Sequence, residues 1–186
     1  ILSAATELFL ENGYGGTSID AIIERSGGSK ATLYSYFSVK DELFRAVIDA
    51  TVSHRDEPEL DPGSDIRAAL VNFNLRRMAI VFSSQHRALL RLIVGERERF
   101  PDIARMYYER GPKRSREFLT EYMTMLKNGD LLAIEDPAES AELLIGMLYF
   151  EWYLTQLYLG EGPPSREAMQ QRTERVVDRF MEALQK

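Results

Sequence analysis

Apolar residues recur at three- and four-residue steps along nearly the whole chain. In the first segment Ile1, Leu2, Ala5, Leu8 and Phe9 fall on one face of a helix. No segment alternates apolar and polar residues consistently enough to indicate a β-strand. The pattern therefore predicts an all-α protein.

Glycines and capping residues divide the N-terminal segment into short helices. The stretch ENGYGGTS is a natural stop for the first helix. Thr17 with Asp20 has the spacing of a capping box, and Ser38 with Asp41 repeats that spacing. Each pair predicts the start of a new helix.

A short third helix is predicted between these two starts. The stretch RSGGSKATLY places two glycines in a tight turn and offers Ser29 as the N-cap of a helix over residues 30 to about 37. Leu33 and Phe37, four residues apart, are the expected core pair. The succession of helix, glycine turn and short polar helix is typical of a helix-turn-helix.

The other side of this third helix carries an unusual amount of aromatic surface. Lys30, Thr32, Tyr34 and Tyr36 are left toward solvent when Leu33 faces the core. Two interpretations stay open at this point: a surface that contacts DNA, and a small capped helix with exposed tyrosines. Helix-turn-helix spacing also occurs in proteins that bind no DNA.

The composition is that of a soluble globular chain of one or two domains, with 45% hydrophobic and 28% charged residues over 186 positions. There is no apolar run of about 18 residues and no signal-peptide pattern, so we expect a cytoplasmic protein without a membrane span. The chain opens at Ile1 without a methionine and already within a helical pattern, which predicts that residues precede it.

The formal charge of −6 weakens the case for a surface that binds nucleic acid broadly. The first fifty residues carry seven acidic side chains and four basic ones, Arg25, Lys30, Lys40 and Arg45. Any affinity for DNA must therefore come from the placement of these charges.

Motifs typical of enzymes give little support to a catalytic function. GGSKA at residues 27–31 superficially fits the Gly-x-Ser-x-small elbow of a hydrolase, but no strand pattern precedes it, so Ser29 is expected to be a helix cap. Zero cysteines exclude thiolate chemistry and cysteine metal sites, and neither a phosphate-binding Gly-x-x-x-x-Gly-Lys loop nor a His-Glu-x-x-His motif occurs. His54 and His86 are each expected to be solvated or capping residues. We predict no metal, no cofactor and no enzymatic activity.

The rest of the chain predicts a larger helical region. The polar stretch HRDEPELDPGSD, residues 54–65, is expected to connect two helices. Amphipathic patterns predict helices over residues 64 to about 82 and over QHRALLRLIVGERERF. Prolines in first-turn positions then predict two separate helices, FPDIARMYYERG and PKRSREFLTEYMTMLKNG.

The last two helices raise the question of assembly. Asp136 and Pro137 begin a helix that is apolar on every side and ends at Gly160. The final helix carries one stripe, Met169, Thr173, Val176, Val177, Phe180 and Leu184. A helix that is apolar all round must be covered all round, and either the rest of this chain or a second copy would cover it.

The N-terminal segment is similar to the DNA-binding region of the tetracycline-repressor (TetR) family of bacterial transcriptional regulators. The likeness covers residues 1 to about 48 and rests on separated elements in the same order, among them Gly13-Tyr14, Ser29-Lys30 and Thr32-Leu33-Tyr34. It implies a three-helix DNA-binding domain over residues 1–48, with its third helix in the major groove of double-stranded DNA. It also implies a helical ligand-binding and dimerisation domain over residues 49–186.

The resemblance further implies which residues meet the DNA. Phosphates would be held by Thr17, Ser18, Tyr36 and Lys40. Bases or backbone would be approached by Ser29, Lys30, Ala31, Thr32 and Tyr34. A homodimer would bind a palindromic operator with half-sites about 34–36 Å apart.

The stretch ERFPDIARMYYERGP is similar to the C-terminal domain of the AefR-like branch of the family. Members usually sense a small molecule in this domain and pair through their last two helices. The ligand-binding residues that we expect are Phe73, Arg77, Phe82, Arg91, Met106, Tyr122, Met147 and Glu151. The dimer-interface residues that we expect are Leu148, Trp152, Val176, Val177 and Phe180.

Packed core is the simpler interpretation for any single apolar member of the ligand set. Arg91 and Glu151 are charged within apolar stretches and are expected to form a salt bridge, with each other or with a surface group. The combined prediction is a homodimeric, ligand-responsive regulator, usually a repressor in this family, with the helix over residues 40 to about 53 as the lever between the domains. The alternative is a dimeric helical ligand-binding protein whose helix-turn-helix no longer binds DNA.

Overall fold

The computed structural model describes residues 1–52, 60–61, 63 and 65–184. Within these residues the chain forms helices and no strands, which confirms the all-α prediction. The α-helices are α1 (Leu2–Gly16), α2 (Ile19–Ser26), α3 (Lys30–Tyr36), α4 (Lys40–Val52), α5 (Ile66–Val81), α6 (Ser84–Glu96), α7 (Pro101–Tyr108), α8 (Arg114–Asn128), α9 (Pro137–Leu154) and α10 (Arg166–Ala183). Two π-helical turns, Glu109–Lys113 and Thr155–Leu159, extend α7 and α9. No described helix is both long enough and apolar enough to cross a bilayer.

The third helix forms as its local sequence predicts. The side-chain oxygen of Ser29 accepts a hydrogen bond from the Thr32 backbone N–H at 3.1 Å, which makes Ser29 the N-cap of α3. Leu33 is fully buried in the core of this region, and Phe37 packs against that core while remaining half-buried. Capping is a local interaction, so the sequence alone was enough to place this helix.

Both predicted capping boxes are wrong in detail. Ser18, not Thr17, is the N-cap of α2, and its side chain accepts from the Ala21 N–H. At the start of α4 the backbone N–H and the hydroxyl of Ser38 donate to Glu42 Oε2, at 2.7 and 2.8 Å, so the carboxylate partner is Glu42, not Asp41. Shifting the partner by one residue turns the carboxylate to a different side of the helix.

The chain packs into two compact units, each with its own core. The first contains the described part of residues 1–53 together with residues 84–111, and the second contains the described part of residues 54–83 together with residues 112–184. The helices α6 and α7 therefore pack with the N-terminal helices, although they follow α5 in the chain. This grouping differs from the contiguous division at residue 48 that the sequence predicts.

Prolines and capping residues of the second half act as predicted, with one exception. Pro101 occupies the first turn of α7, and Asp136 caps α9 by accepting from the Ala138 and Glu139 N–H groups. Pro112, however, does not begin a separate helix, because it lies inside the π-helical turn that joins α7 to α8. A π-helical turn changes the local register of the backbone hydrogen bonds. This change accommodates a proline, which has no backbone N–H to donate.

Candidate nucleic-acid interface

The exposed face of α3 is the surface on which most of the predicted DNA-binding residues meet. Leu33 anchors the helix from below, while Tyr34 and Tyr36 are 52% and 74% exposed. The other members of this face are also exposed: Ser29, Lys30, Ala31 and Thr32. The aromatic rings therefore stand in solvent instead of filling the core.

The hydroxyl groups at the start of α3 are partly engaged with each other. Ser29 Oγ lies 2.9 Å from Thr32 Oγ1, in addition to capping the helix. Ser35 donates to the Thr32 carbonyl at 2.7 Å. The mutual contact holds the hydroxyls of Ser29 and Thr32 in defined positions on the exposed surface, where each retains further hydrogen-bonding capacity.

The side chain of Thr17 does not belong to this surface. It is 3% exposed, and its hydroxyl lies 2.9 Å from the Leu8 carbonyl and 2.8 Å from the Gly13 carbonyl. The expected phosphate contact by this hydroxyl is therefore corrected: the group ties the end of α1 to the start of α2. The neighbouring Ser18 is exposed and carries the cap of α2.

Lys40 stands at the beginning of α4 over an aromatic ring. Its Nζ lies 4.4 Å from the centre of the Tyr14 ring, and burial lowers the pKa of the Lys40 amine below its usual value. The Tyr14 hydroxyl donates a hydrogen bond to Asp41, and burial followed by that bond raises the pKa of Tyr14, so the phenol stays neutral. The ring thus holds Lys40 in place while leaving the ammonium partly accessible.

Carboxylates accompany the basic side chains of the N-terminal helices. Lys30 Nζ lies 2.7 Å from Asp20 Oδ1. Arg25 on α2 pairs with Glu7 at 3.5 Å and with Glu11 at 3.2 Å, both on α1. Two of the four basic side chains in this segment are therefore paired with carboxylates of neighbouring helices.

Sequence reasoning missed the contact that holds the turn between α1 and α2. Gly13 has φ +75° and ψ 171°, which interrupts α1 three residues before its end. Glu96 at the end of α6 accepts from the Gly15 N–H at 3.4 Å, and the Phe100 ring packs edge-to-face on Tyr14 with ring centres 4.9 Å apart. The glycine-rich stretch signalled a turn, but nothing in its own neighbourhood pointed to a partner eighty residues away.

His86 also differs from its prediction. It is 2% exposed, and its Nε2 lies 2.8 Å from the Tyr107 hydroxyl, so it is a buried core residue and neither solvated nor a cap. Its position near the start of α6 suggested a capping role, but the side chain turns toward α7. The corresponding prediction for His54 falls outside the described residues.

Four of the expected ligand-binding residues are buried together in the second unit. Phe73 stacks on Phe118 with ring centres 5.2 Å apart, and Phe82 meets Trp152 edge-to-face at 5.5 Å. Tyr122 is fully buried, and burial raises the pKa of its hydroxyl to about 12. These rings form a continuous apolar cluster with side chains of α5, α8, α9 and α10.

Polar groups are buried in the same unit. Arg77 is 5% exposed and lies 2.6 Å from the Ser115 hydroxyl, measured from Nη2. Asn74, which sequence reasoning missed, is fully buried; its Nδ2 donates to the Leu70 carbonyl, while its Oδ1 has no partner among the described residues. The Tyr122 hydroxyl likewise has no partner in the described part of the chain.

The remaining four ligand candidates do not join this cluster. Met147 is 39% exposed and Glu151 is exposed, both on α9. Arg91 and Met106 belong to the first unit, the former exposed and the latter half-buried. Both charged side chains, Arg91 and Glu151, are exposed, so burial does not require the salt bridge that the sequence predicts for them.

Three of the five predicted dimer-interface residues need a similar correction. Leu148 and Val177 are fully buried and Phe180 is 5% exposed, all within the core of the second unit of a single chain. Trp152 and Val176 are half-buried against the same core. The side chains that α9 leaves outside are instead Leu143, Met147 and Phe150, which are 57%, 39% and 63% exposed.

Comparison with known proteins shows which family has this arrangement of helices. Residues 1–47 match the family model described as "Bacterial regulatory proteins, tetR family", and residues 68–186 match that of the "AefR-like transcriptional repressor, C-terminal domain". The chain belongs to the TetR family. Both matches confirm the family and the AefR-like branch expected from the sequence.

Three TetR-like proteins illustrate the breadth of the similarity. The flavonoid-responsive regulator FrrA is 34% identical, with 99% of this chain and 94% of that chain aligned and a TM-score of 0.81. A TetR-family transcriptional regulator from Mesorhizobium loti MAFF303099 is 27% identical, with 100% and 95% aligned and a TM-score of 0.85. The HTH-type transcriptional regulator YvkB of Bacillus subtilis strain 168 is 23% identical over 87% of this chain and 83% of its own length. This TetR-family chain is therefore a DNA-binding transcriptional regulator.

Proposed function

We propose that the chain is a homodimeric repressor that binds a palindromic operator through α3 and releases it when a small molecule occupies the second unit. The main observation behind this proposal is the exposed face of α3. Tyr34 and Tyr36 are 52% and 74% exposed there, while Leu33 of the same helix is fully buried. A helix of this kind places side chains against base edges in a major groove, while neighbouring residues hold phosphates. Ser18, Tyr36 and Lys40 are the proposed phosphate contacts, with Ser29, Lys30, Ala31, Thr32 and Tyr34 nearer the bases.

For the effector we propose a hydroxylated, largely planar aromatic molecule of the flavonoid class. FrrA, which aligns with nearly the whole chain, is named as flavonoid-responsive. The second unit offers stacked and edge-to-face aromatic rings, on which a flat apolar molecule packs well. A ligand hydroxyl would satisfy Asn74 Oδ1 or the Tyr122 hydroxyl, neither of which has a partner among the described residues; burying such a group unpaired costs about 1–3 kcal/mol.

The regulatory step follows from differential binding. An effector that prefers the conformation unable to span two successive grooves shifts the population toward it, and operator affinity falls by the difference in binding free energy.

Dimerisation supplies the two DNA-binding helices. We propose that α9 contributes Leu143, Met147 and Phe150 to the interface, because a second copy would cover the apolar side chains that a single chain leaves exposed.

The test is a selection of genomic fragments that bind the purified protein, performed at two salt concentrations. A recurring palindrome is the expected result, and titration of flavonoids such as naringenin and quercetin should then release it. Binding that is salt-sensitive but has no shared sequence, or no binding at all, would instead favour a helical ligand-binding protein with a non-functional DNA-binding domain. The acidic balance of the N-terminal segment motivates that alternative.

Lys40→Ala is expected to weaken binding to every duplex by about tenfold at low salt, because one charged contact with a phosphate is lost. The slope of log affinity against log salt should become shallower by about 0.9 for each protomer, and therefore by about 1.8 for the proposed homodimer. Both quantities come from fluorescence anisotropy on the operator and on a random duplex of equal length. A thermal melt checks that loss of the contact with Tyr14 leaves the domain folded.

Tyr34→Ala is the contrasting variant in the same experiment. Its loss should be larger on the operator than on the random duplex, and the salt slope should stay unchanged, because a tyrosine carries no charge to release counterions. Equal losses on both duplexes would remove Tyr34 from the residues that discriminate between bases.

A further inference from the structure

The ion pair between Lys30 and Asp20 lies on the proposed DNA-binding surface itself. Lys30 is the first residue of α3, and Asp20 is the second residue of α2. The distance from Nζ to Oδ1 is 2.7 Å, and the two side chains are 65% and 72% exposed. Two short elements joined by a glycine turn thus place a carboxylate beside the one lysine of the recognition helix.

The ion pair itself adds little stability, although Asp20 also lies in the first turn of α2, where a carboxylate is favoured. Ion pairs between exposed side chains contribute about 0–1 kcal/mol, since solvent screens the attraction and the side chains lose conformational freedom. On a surface that meets phosphates, moreover, a carboxylate opposes binding through like-charge repulsion. An acidic residue at this position therefore lowers the affinity for DNA, and a role in recognition would have to compensate for that loss.

The chemistry of the lysine ammonium suggests what that is. An ammonium has three N–H donors, so a bond to Asp20 leaves two for another acceptor. The carboxylate restricts where Nζ can lie, whereas an unpaired lysine is free to follow whichever phosphate is nearest. A paired lysine also releases fewer of the cations condensed on random DNA, because the carboxylate already neutralises its charge.

We propose that Asp20 is a specificity-determining residue of the DNA-binding surface. It holds the Lys30 ammonium at the start of α3, where the remaining N–H groups are directed to a guanine O6 or N7 acceptor, and it stands in for a phosphate in the free protein. The proposal rests on the proposed function. Its consequence is that sequence-independent binding is kept low while one base pair of the operator is read more strictly.

The experiment compares Asp20→Asn with Glu24→Gln, which removes the same charge from an exposed position on the same helix. Each protein is titrated with the operator duplex recovered by genomic selection and with a random-sequence duplex of equal length, across several salt concentrations. Asp20→Asn is expected to bind the random duplex about three- to tenfold more tightly at low salt, with a salt slope steeper by about 0.9 for each protomer, and therefore by about 1.8 for the proposed homodimer. The ratio of operator to random affinity should fall about tenfold, and the preference for guanine at one operator position should weaken.

Two further variants make the result specific to the pair. Asp20→Glu keeps a carboxylate within reach and should retain most of the wild-type ratio and slope. Lys30→Gln should lower random-duplex affinity more in the Asp20→Asn background than in the wild-type background, because the lysine is released from the carboxylate only in the former. Circular dichroism melts show whether each variant is folded.

Two results with these variants would overturn the proposal. They are an Asp20→Asn protein that matches Glu24→Gln on both duplexes, and a Lys30→Gln effect that is the same in both backgrounds. Failure of the proposed function is distinguishable, because the wild-type protein then selects no operator. If the wild-type protein binds DNA without a shared sequence, the random-duplex slope and the Lys30→Gln comparison still decide whether Asp20 limits phosphate contacts by Lys30. If it binds no duplex at all, both proposals are overturned.

Discussion

Phe150→Asp is expected to give a folded monomer that binds the operator at least about 100-fold more weakly than the wild-type protein. Phe150 is 63% exposed in the single chain, so its replacement removes little of the intramolecular core. In a two-fold interface each substitution occurs twice, and two carboxylates would be buried against apolar partners such as Leu143 and Met147. Loss of the dimer removes the avidity of two linked DNA-binding domains, which is worth about 10²- to 10⁴-fold.

Sedimentation equilibrium measures the first effect and operator titration the second. Val94→Asp is the matched control, because Val94 is a 41% exposed apolar residue of α6 and its replacement should leave a dimer. Leu148→Ala provides the opposite case: its side chain is fully buried, so we expect a loss of about 2–5 kcal/mol in unfolding free energy without a selective effect on dimerisation. A Phe150→Asp protein that remains a dimer would exclude this face of α9.

Gly13→Ala is expected to lower the unfolding free energy by about 1–3 kcal/mol, because an L side chain is strained at φ +75° and ψ 171°. An added Cβ would also lie 2.4 Å from Glu96 Oε1, which forces that flexible side chain away from its contact with the Gly15 N–H. Since this turn orients α2 and α3, DNA binding should be lost at a lower temperature than in the wild-type protein. Chemical denaturation followed by circular dichroism gives the free energy directly.

Gly16→Ala is the control for this substitution. Gly16 has no positive φ, and the nearest atom to an added Cβ is the Asn12 Cβ at 3.5 Å, so the change in stability should stay within about 1 kcal/mol. Combining Gly13→Ala with Glu96→Ala relieves the steric contact but not the backbone strain, and most of the loss should persist. If Gly13→Ala unfolds like Gly16→Ala, the turn does not require its glycine.

The all-α architecture and the helix-turn-helix could be predicted because their signals are local. Ser29 and Asp136 cap helices through bonds to residues two or three positions away, and Pro101 fits a first turn by its own backbone geometry. Periodicity likewise identified Leu33 as core and the tyrosines beside it as exposed. The resemblance of residues 1–48 to a known family then supplied the expected roles.

Which side of a helix meets another helix is a different kind of information. The sequence shows α9 as apolar all round, but only packing against α8 and α10 decides that Leu148 lies inside while Phe150 lies outside. In the same way, Thr17 and His86 carry polar groups that suit a surface, yet each finds its hydrogen-bond partner in the interior. Periodicity specifies that a face is buried and leaves open which partner buries it.

The amino-acid sequence by itself determined the class of fold, the order of the helices, the N-cap of α3 and the family. Each of these depends on contacts within a few residues or on motifs in fixed order. Tertiary structure alone decided that residues 84–111 pack with the N-terminal helices, that Glu96 holds the turn at Gly15, and that Asp20 meets Lys30. These contacts join residues that are distant in the chain or lie on separate helices, and only the packing of whole helices brings them within hydrogen-bonding distance.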